Sequence, residues 1–216
     1  MQAVVFDMDG LLVDSEPVWF QAESAVMARL GGTWSPGDQH LLVGGSLTST
    51  VEYLLSKAAR PAEPGEVARW LIDAMLGLLA SQPLPALPGA LDLLGEVRAA
   101  GLPHAIVTSS EPAVADAVLA RLGIVFEVVV CAADVTRTKP DPEGYLLAAA
   151  KLGADPALCI ALEDSPNGVA AAEAAGYHVV AVPSVVPVPA RPGRVVVPTL
   201  AGVTLAQLVA LTGLAG

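Results

Sequence analysis

Several residue types are scarce in this sequence. Cysteine occurs only at positions 131 and 159, too few for a disulfide scaffold or a thiolate-bound zinc cluster, and both are expected as free thiols. Charged residues make up 15 % of the 216 and aromatics 4 %, and lysine occurs only three times. With 22 acidic against 11 basic side chains the net charge is −11, so nucleic acid and anionic lipid would repel the chain and neither is expected as a partner. No basic leader or cleavable apolar stretch precedes Asp7, which points to a cytoplasmic location. Residues 195–216 carry no charge and have the length of a membrane span. Pro198, Thr199, Gly202, Thr204, Gln207 and Thr212 interrupt that stretch, so it is expected to divide into a β-like VVVP and an amphipathic TLAQLVAL.

Apolar residues are plentiful at 54 %, enough for a large core, and the length suits one domain carrying an insertion. Short apolar runs at Ala3–Phe6, His104–Val107, Phe126–Cys131, Cys159–Leu162 and His178–Val182 read as strands buried on both faces. Between them lie helical patterns at Ala90–Ala100, Pro112–Leu122, Pro142–Leu152 and Val169–Ala175, each followed by a glycine that can stop a helix. This alternation predicts an α/β fold, a doubly wound parallel sheet with helices on both faces.

The stretch from Ser15 to Leu87 breaks the alternation. It holds no convincing strand, and helices are predicted at Pro17–Leu30, Asp38–Val43, Leu47–Ala59 and Gly65–Ala80. Residues 1–14 and 88–216 are therefore expected to form the core, and residues 15–87, linkers included, an all-helical insertion. The linkers around Leu11–Ser15 and Ser81–Pro88 are expected to act as hinges.

Asp7 and Asp9 follow the first strand, and Glu163 and Asp164 follow the fourth. In open α/β sheets the carboxyl ends of strands face the ligand crevice, and carboxylates crowded there repel one another unless a hard cation intervenes. Mg²⁺ suits oxygen ligands of this kind. Thr108-Ser109 follows the second strand ahead of a helix, an arrangement that serves either as an anion site or as an ordinary N-cap. Lys139, held in a Thr-Lys-Pro-Asp-Pro loop, is suited to bridging a phosphate and a carboxylate.

Taken together, Phe6-Asp7-Met8-Asp9-Gly10, Thr108-Ser109, Lys139-Pro140 and Glu163-Asp164-Ser165-Pro166-Asn167-Gly168 resemble the four motifs of the haloacid dehalogenase superfamily, in its phosphatase branch with a helical cap after the first strand. The resemblance covers nearly the whole chain and implies a Rossmann-like core. It implies that Asp7 is the nucleophile forming an aspartyl-phosphate, Asp9 the acid and then the base, and Lys139 a catalytic cation. Thr108, Ser109, Lys139 and Met8 would hold the phosphoryl oxygens. Asp7, the backbone carbonyl of Asp9 and Asp164 would hold Mg²⁺, with Glu163 as an outer ligand. The substrate it implies is a small phosphorylated metabolite, a sugar or polyol phosphate, and the chain is expected as a monomer or weak homodimer. Asp9 sets it apart from the dehalogenases, which have no alcohol to protonate.

Two alternatives stand beside the phosphatase. The β-phosphoglucomutase-like mutases carry a basic cap residue after a Gly-x-Ser element, where this chain has Gly44-Gly45-Ser46-Leu47, and a cap histidine where it has Trp19. A chain that kept the fold without turnover would be a phospholigand sensor. Trp19 suits either stacking on a sugar or anchoring the cap helix. Trp34 and Trp70 suit cap packing, His40, His104 and His178 lie away from the motifs, and Arg137 is either a phosphate ligand or a surface charge.

Overall fold

The computed structural model describes residues 1–191 and 193–214. Pro192 in the proline-rich stretch before the last strand, and Ala215 and Gly216 at the end of the uncharged tail, lie outside the described residues. Among the described residues six parallel strands form one sheet: β1 (Ala3–Phe6), β2 (His104–Val107), β3 (Val128–Val130), β4 (Cys159–Glu163), β5 (His178–Ala181) and β6 (Val195–Val196), in the spatial order β3-β2-β1-β4-β5-β6. The chain builds outward from β1 to β3, then crosses back to lay β4 on the other flank of β1. That reversal creates the crevice where such sheets bind ligands.

Helices α1 (Glu16–Arg29), α2 (Pro36–His40), α3 (Leu47–Lys57) and α4 (Pro64–Ser81) lie between β1 and α5 (Ala90–Ala99). The crossover helices α6 (Pro112–Leu122), α7 (Glu143–Leu152) and α8 (Pro166–Ala174) follow, and α9 (Leu205–Thr212) closes the chain. No helix among the described residues is long and apolar enough to cross a membrane. The tail divides at Pro198 into β6 and α9, as the interrupting residues predict.

The period-two geometry of a strand sends Val4 and Phe6 of β1 into a core under one face, and Ala3 and Val5 into a second core under the other. The inserted helices have a core of their own, built on Val26, Met27, Leu30, Val51, Leu54, Val67 and Leu71. The other halves of α1 and α4, through Val18, Ala22, Met75 and Leu79, join the first sheet core. Each fully buried side chain of this kind contributes roughly 1.5–3 kcal/mol. The two linkers pair with each other: Leu87 N–H donates to Leu12 O at 2.9 Å and Asp14 N–H to Pro85 O at 3.3 Å.

Some boundaries differ from the sequence expectation for local reasons. β3 spans Val128–Val130 rather than Phe126–Cys131, because Phe126 turns inward to pack edge-on against Phe6, with ring centroids 5.8 Å apart. α2 starts two residues early, where Ser35 and Asp38 form a reciprocal capping box, and it ends at His40 instead of Val43. α8 starts at Pro166 rather than Val169, because the Ser165 hydroxyl accepts from Gly168 N–H and caps it.

Candidate active site

The register of the sheet gathers the predicted residues. Phe6 pairs with Ile106 of β2 on one side and with Leu162 of β4 on the other, so Asp7, Thr108 and Glu163 emerge at one edge. Asp7 N–H donates to Leu162 O at 2.9 Å and continues the ladder. The chain then turns sharply at Gly10, which has φ +78° and whose missing Cβ would lie 2.1 Å from Asp164 Oδ2; only glycine fits there.

At the centre is a buried group of charges. Lys139 Nζ lies 2.5 Å from Asp7 Oδ1 and 2.5 Å from Glu163 Oε1, and donates to Val107 O at 2.8 Å. Glu163 is fully engaged: Tyr145 donates its hydroxyl to Oε1 at 2.7 Å, and Oε2 accepts from Asp164 N–H at 3.1 Å and from Ser165. The Ser184 hydroxyl donates to Asp164 Oδ2. A Cβ at Gly168 would lie 2.0 Å from the Glu163 carboxyl carbon, which explains the glycine in that motif.

Three carboxyls, of Asp7, Glu163 and Asp164, offer oxygens within 4.8 Å of one another and share one ammonium. Burial opposes the charge on Lys139, but Asp7 and Glu163 outweigh it and raise the Lys139 pKa above its usual range. Burial raises Asp7 well above a normal carboxylic acid, Lys139 opposes that rise, and Glu163 and Asp164 reinforce it. Burial, then Glu163, raises Asp164 to about 8. One cation is too few for three buried acids, and an all-oxygen donor set short of positive charge fits a hard divalent ion.

Asp9 is half-buried and held by four donors. Ser15 Oγ (2.6 Å) and Trp19 Nε1 (3.3 Å) donate to Oδ1, while Ser110 Oγ (2.8 Å) and Thr108 Oγ1 (3.3 Å) donate to Oδ2. Thr108 is not the N-cap of α6, a position occupied by Glu111; its hydroxyl accepts from Ser110 N–H at 3.0 Å. Ser109 lines the cleft with a buried hydroxyl that has no partner, the only such side-chain atom among the described residues. Such an atom costs stability unless a ligand completes it. Met8 has a buried side chain, and its carbonyl accepts from Leu12 N–H at 2.9 Å.

The inserted helices close the cleft from above. Glu16, Trp19 and Glu23 of α1 line it together with Gln39, the turn Leu42–Leu47 and Thr50 of α3. Asn167 Nδ2, at the start of α8, donates to Gly44 O at 3.3 Å across the opening. Lys139 is the one basic side chain lining the cleft among the described residues, and Leu47 lines it at the position compared with the basic cap residue of the mutases. Trp19 lines the cleft, packs against the sheet core and donates to Asp9.

Other residues fall away from the site. Arg137 points outward and pairs with Asp141 at 3.2 Å and Glu143 at 3.6 Å. Trp34 and Trp70 pack in the insertion's core, and both cysteines are free and buried. Ser110, Tyr145, Ser184 and Glu23 were not singled out by the sequence. Ser110 extends the Thr108-Ser109 pair by one residue, and Glu16, Trp19 and Glu23 have the i, i+3, i+7 spacing of one helix stripe. Tyr145 and Ser184 carried no local signal.

A model of the haloacid dehalogenase-like hydrolase family matches residues 1–176. Hexitol phosphatase B of Escherichia coli (strain K12) is 35 % identical over 187 residues, covering 84 % of this chain and 83 % of its own length. Protein CbbY of Rhodobacter capsulatus is 33 % identical over 195 residues, covering 85 % and 86 %. Among solved structures, a mutant of CbbY from Rhodobacter sphaeroides in complex with xylulose-(1,5)bisphosphate has a TM-score of 0.89 at 26 % identity, covering 96 % of this chain and 99 % of that one.

Proposed function

The chain belongs to the haloacid dehalogenase-like hydrolase family and is a phosphoric monoester hydrolase, and we propose that it is a Mg²⁺-dependent phosphatase of a small sugar or polyol phosphate, acting through an aspartyl-phosphate. The observation that carries this reading is the pairing of a buried, lysine-held Asp7 with an Asp9 fixed two residues on by four donors. Relatives named for hexitol phosphates, and one solved with a bound sugar bisphosphate, support the substrate class.

Lys139 occupies Oδ1 of Asp7, which leaves Oδ2 to attack phosphorus. The new Asp7 O–P bond forms as the bond from phosphorus to the ester oxygen breaks, and Asp9 gives its proton to the departing alkoxide. Asp9 then takes a proton from water, the hydroxide attacks phosphorus, and the Asp7 O–P bond breaks to release phosphate. Ser109, whose hydroxyl is free of other partners, and Thr108, once its hydroxyl turns from Asp9, hydrogen-bond the phosphoryl oxygens, with Lys139 offsetting their charge. Asp7, the Asp9 carbonyl and Asp164 would hold Mg²⁺, whose charge lowers the cost of three crowded carboxyls and neutralises the transferring group. Glu163, with both oxygens engaged, positions Lys139 and the Asp164 loop.

A single basic side chain in the cleft favours hydrolysis over a mutase reaction, which must grip a bisphosphate while keeping water out. The test is phosphate release from phosphorylated sugars, polyols, nucleotides and small acids, with Mg²⁺, with EDTA, and with Asp7→Asn. Metal-dependent release lost in the variant is the expected result. Release that survives Asp7→Asn would contradict the reading, as would turnover that requires a bisphosphate activator.

A further inference from the structure

The part of the cleft farthest from the proposed phosphoryl site has an unusual chemistry. Glu16, Trp19 and Glu23 form one stripe of α1, and seven residues of helix place the backbones of Glu16 and Glu23 about 10 Å apart. Trp19 donates to Asp9, whose charge also acts on Glu16 but not on Glu23, so Glu23 is the end of the stripe away from the acid. Glu23 is only 4 % exposed, yet it lines the cleft; its Oε2 accepts from Trp34 Nε1 at 3.0 Å, and its Oε1 has no hydrogen-bond partner among the described residues. Glu16 Oε2 accepts from Gln39 Nε2 at 2.8 Å. Thr50 of α3 also lines the cleft, and its hydroxyl has no hydrogen-bond partner among the described residues.

No basic side chain lines this end among the described residues, so a second phosphate or a carboxylate would meet the buried Glu23 and nothing to offset it. Burial raises Glu23 to about 8, with Trp34 opposing the rise. Near neutral pH it therefore carries a proton much of the time. A carboxyl in that condition can donate to or accept from a neutral hydroxyl, whereas an ammonium would need it ionised.

Resting on the phosphatase reading, we propose that Glu23, with Thr50, binds the hydroxyl-bearing far end of a substrate that carries one phosphate, and excludes substrates with a second anionic group. Glu23 is thereby a specificity residue rather than a catalytic one. Its open oxygen pairs with a hydroxyl of the substrate, and the Trp34 bond fixes its direction.

The experiment is steady-state kinetics with Mg²⁺ on sorbitol 6-phosphate, fructose 1,6-bisphosphate, 6-phosphogluconate, glucosamine 6-phosphate and para-nitrophenyl phosphate. The wild type is expected to favour the polyol monophosphate over the bisphosphate and the phosphogluconate by at least about a hundredfold in kcat/KM. In Glu23→Leu, which removes both carboxyl oxygens, the ratio of kcat/KM for sorbitol 6-phosphate to that for para-nitrophenyl phosphate should fall about tenfold, mostly through KM. Thr50→Val should lower the same ratio, which keeps the inference testable if the first variant folds poorly. Comparable turnover of the bisphosphate, a clear preference for the glucosamine phosphate, or unchanged ratios in both variants would overturn the inference while leaving the phosphatase intact. Failure of the wild type to release phosphate from any ester, the aryl one included, would instead overturn the phosphatase reading beneath it.

Discussion

Tyr145 donates its hydroxyl to Glu163 Oε1 at 2.7 Å, the same oxygen that Lys139 Nζ approaches at 2.5 Å. The tyrosine is wholly buried, and burial, reinforced by Glu163, raises its pKa well above that of a free phenol, so it remains a donor. A neutral hydrogen bond and an ion pair thus fix one carboxylate, which in turn fixes the lysine facing Asp7. Tyr145→Phe should cost about 1–2 kcal/mol of stability by leaving a buried acceptor short of one donor. It should also lower kcat several-fold without changing metal dependence. Thermal unfolding and phosphate-release kinetics check the two effects, and an unchanged kcat would remove Tyr145 from the account.

Asp9→Asn keeps an acceptor oxygen for one pair of the donors that hold it, sets an NH2 against the other pair, and removes the transferable proton. Turnover should fall about 10²- to 10⁴-fold, the usual contribution of a positioned acid or base. Mg²⁺ affinity measured by calorimetry should change little, because the predicted ligand at this position is the backbone carbonyl. Trp19→Phe, which deletes one of four donors, should have a much smaller effect. Equal turnover in Asp9→Asn and wild type would remove Asp9 from its assigned role.

Gly168→Ala places a methyl group where the Glu163 carboxyl now sits. Glu163 must move, and Lys139 loses one of the two carboxylates that hold it. A loss of at least tenfold in kcat is expected, with a stability cost of about 1–3 kcal/mol for overpacking. Normal activity in a stable Gly168→Ala protein would show that the Glu163–Lys139 contact does not matter to turnover.

Glu23 also predicts a pH dependence of stability. Its pKa rises from 4.5 to about 8 on folding, chiefly through burial, with Trp34 opposing the rise and Glu16 adding to it. Between those values the folded chain keeps a proton that the unfolded chain has released, so the wild type loses stability as pH rises through that window. Glu23→Gln carries no such penalty. It should match the wild type near pH 5 and exceed it by roughly 2–4 kcal/mol near pH 9. Parallel stability curves for the two proteins would contradict the buried placement of this carboxyl.

The sequence carried the sheet and its acidic strand ends because both follow from short-range pattern. Apolar runs closed by carboxylates, and glycines after helical stretches, are local signals, and the placement of Asp7 and Asp164 at one edge needed only that β1 and β4 be neighbours. What was illegible came from distant chain returning to the site. Tyr145 looks like any aromatic in a helix, and Ser184 like any loop serine after a strand; nothing nearby in sequence shows that one reaches Glu163 and the other Asp164. The inserted helices were harder still. Their existence follows from apolar periodicity, but the rotation that turns Glu23 into the cleft and gives Trp19 to Asp9 depends on packing between α1 and α4.

The most direct test of the central claim is to locate the covalent phosphoryl group. The protein is mixed with Mg²⁺ and its best substrate bearing labelled phosphate, quenched in acid within a turnover, digested, and analysed by mass spectrometry. The account predicts label on the Asp7 side chain, lost in Asp7→Asn and trapped in larger amount in Asp9→Asn if release of phosphate becomes the slower step. Label on another residue, or substrate turnover with no labelled protein at any quench time, would contradict Asp7 as the nucleophile.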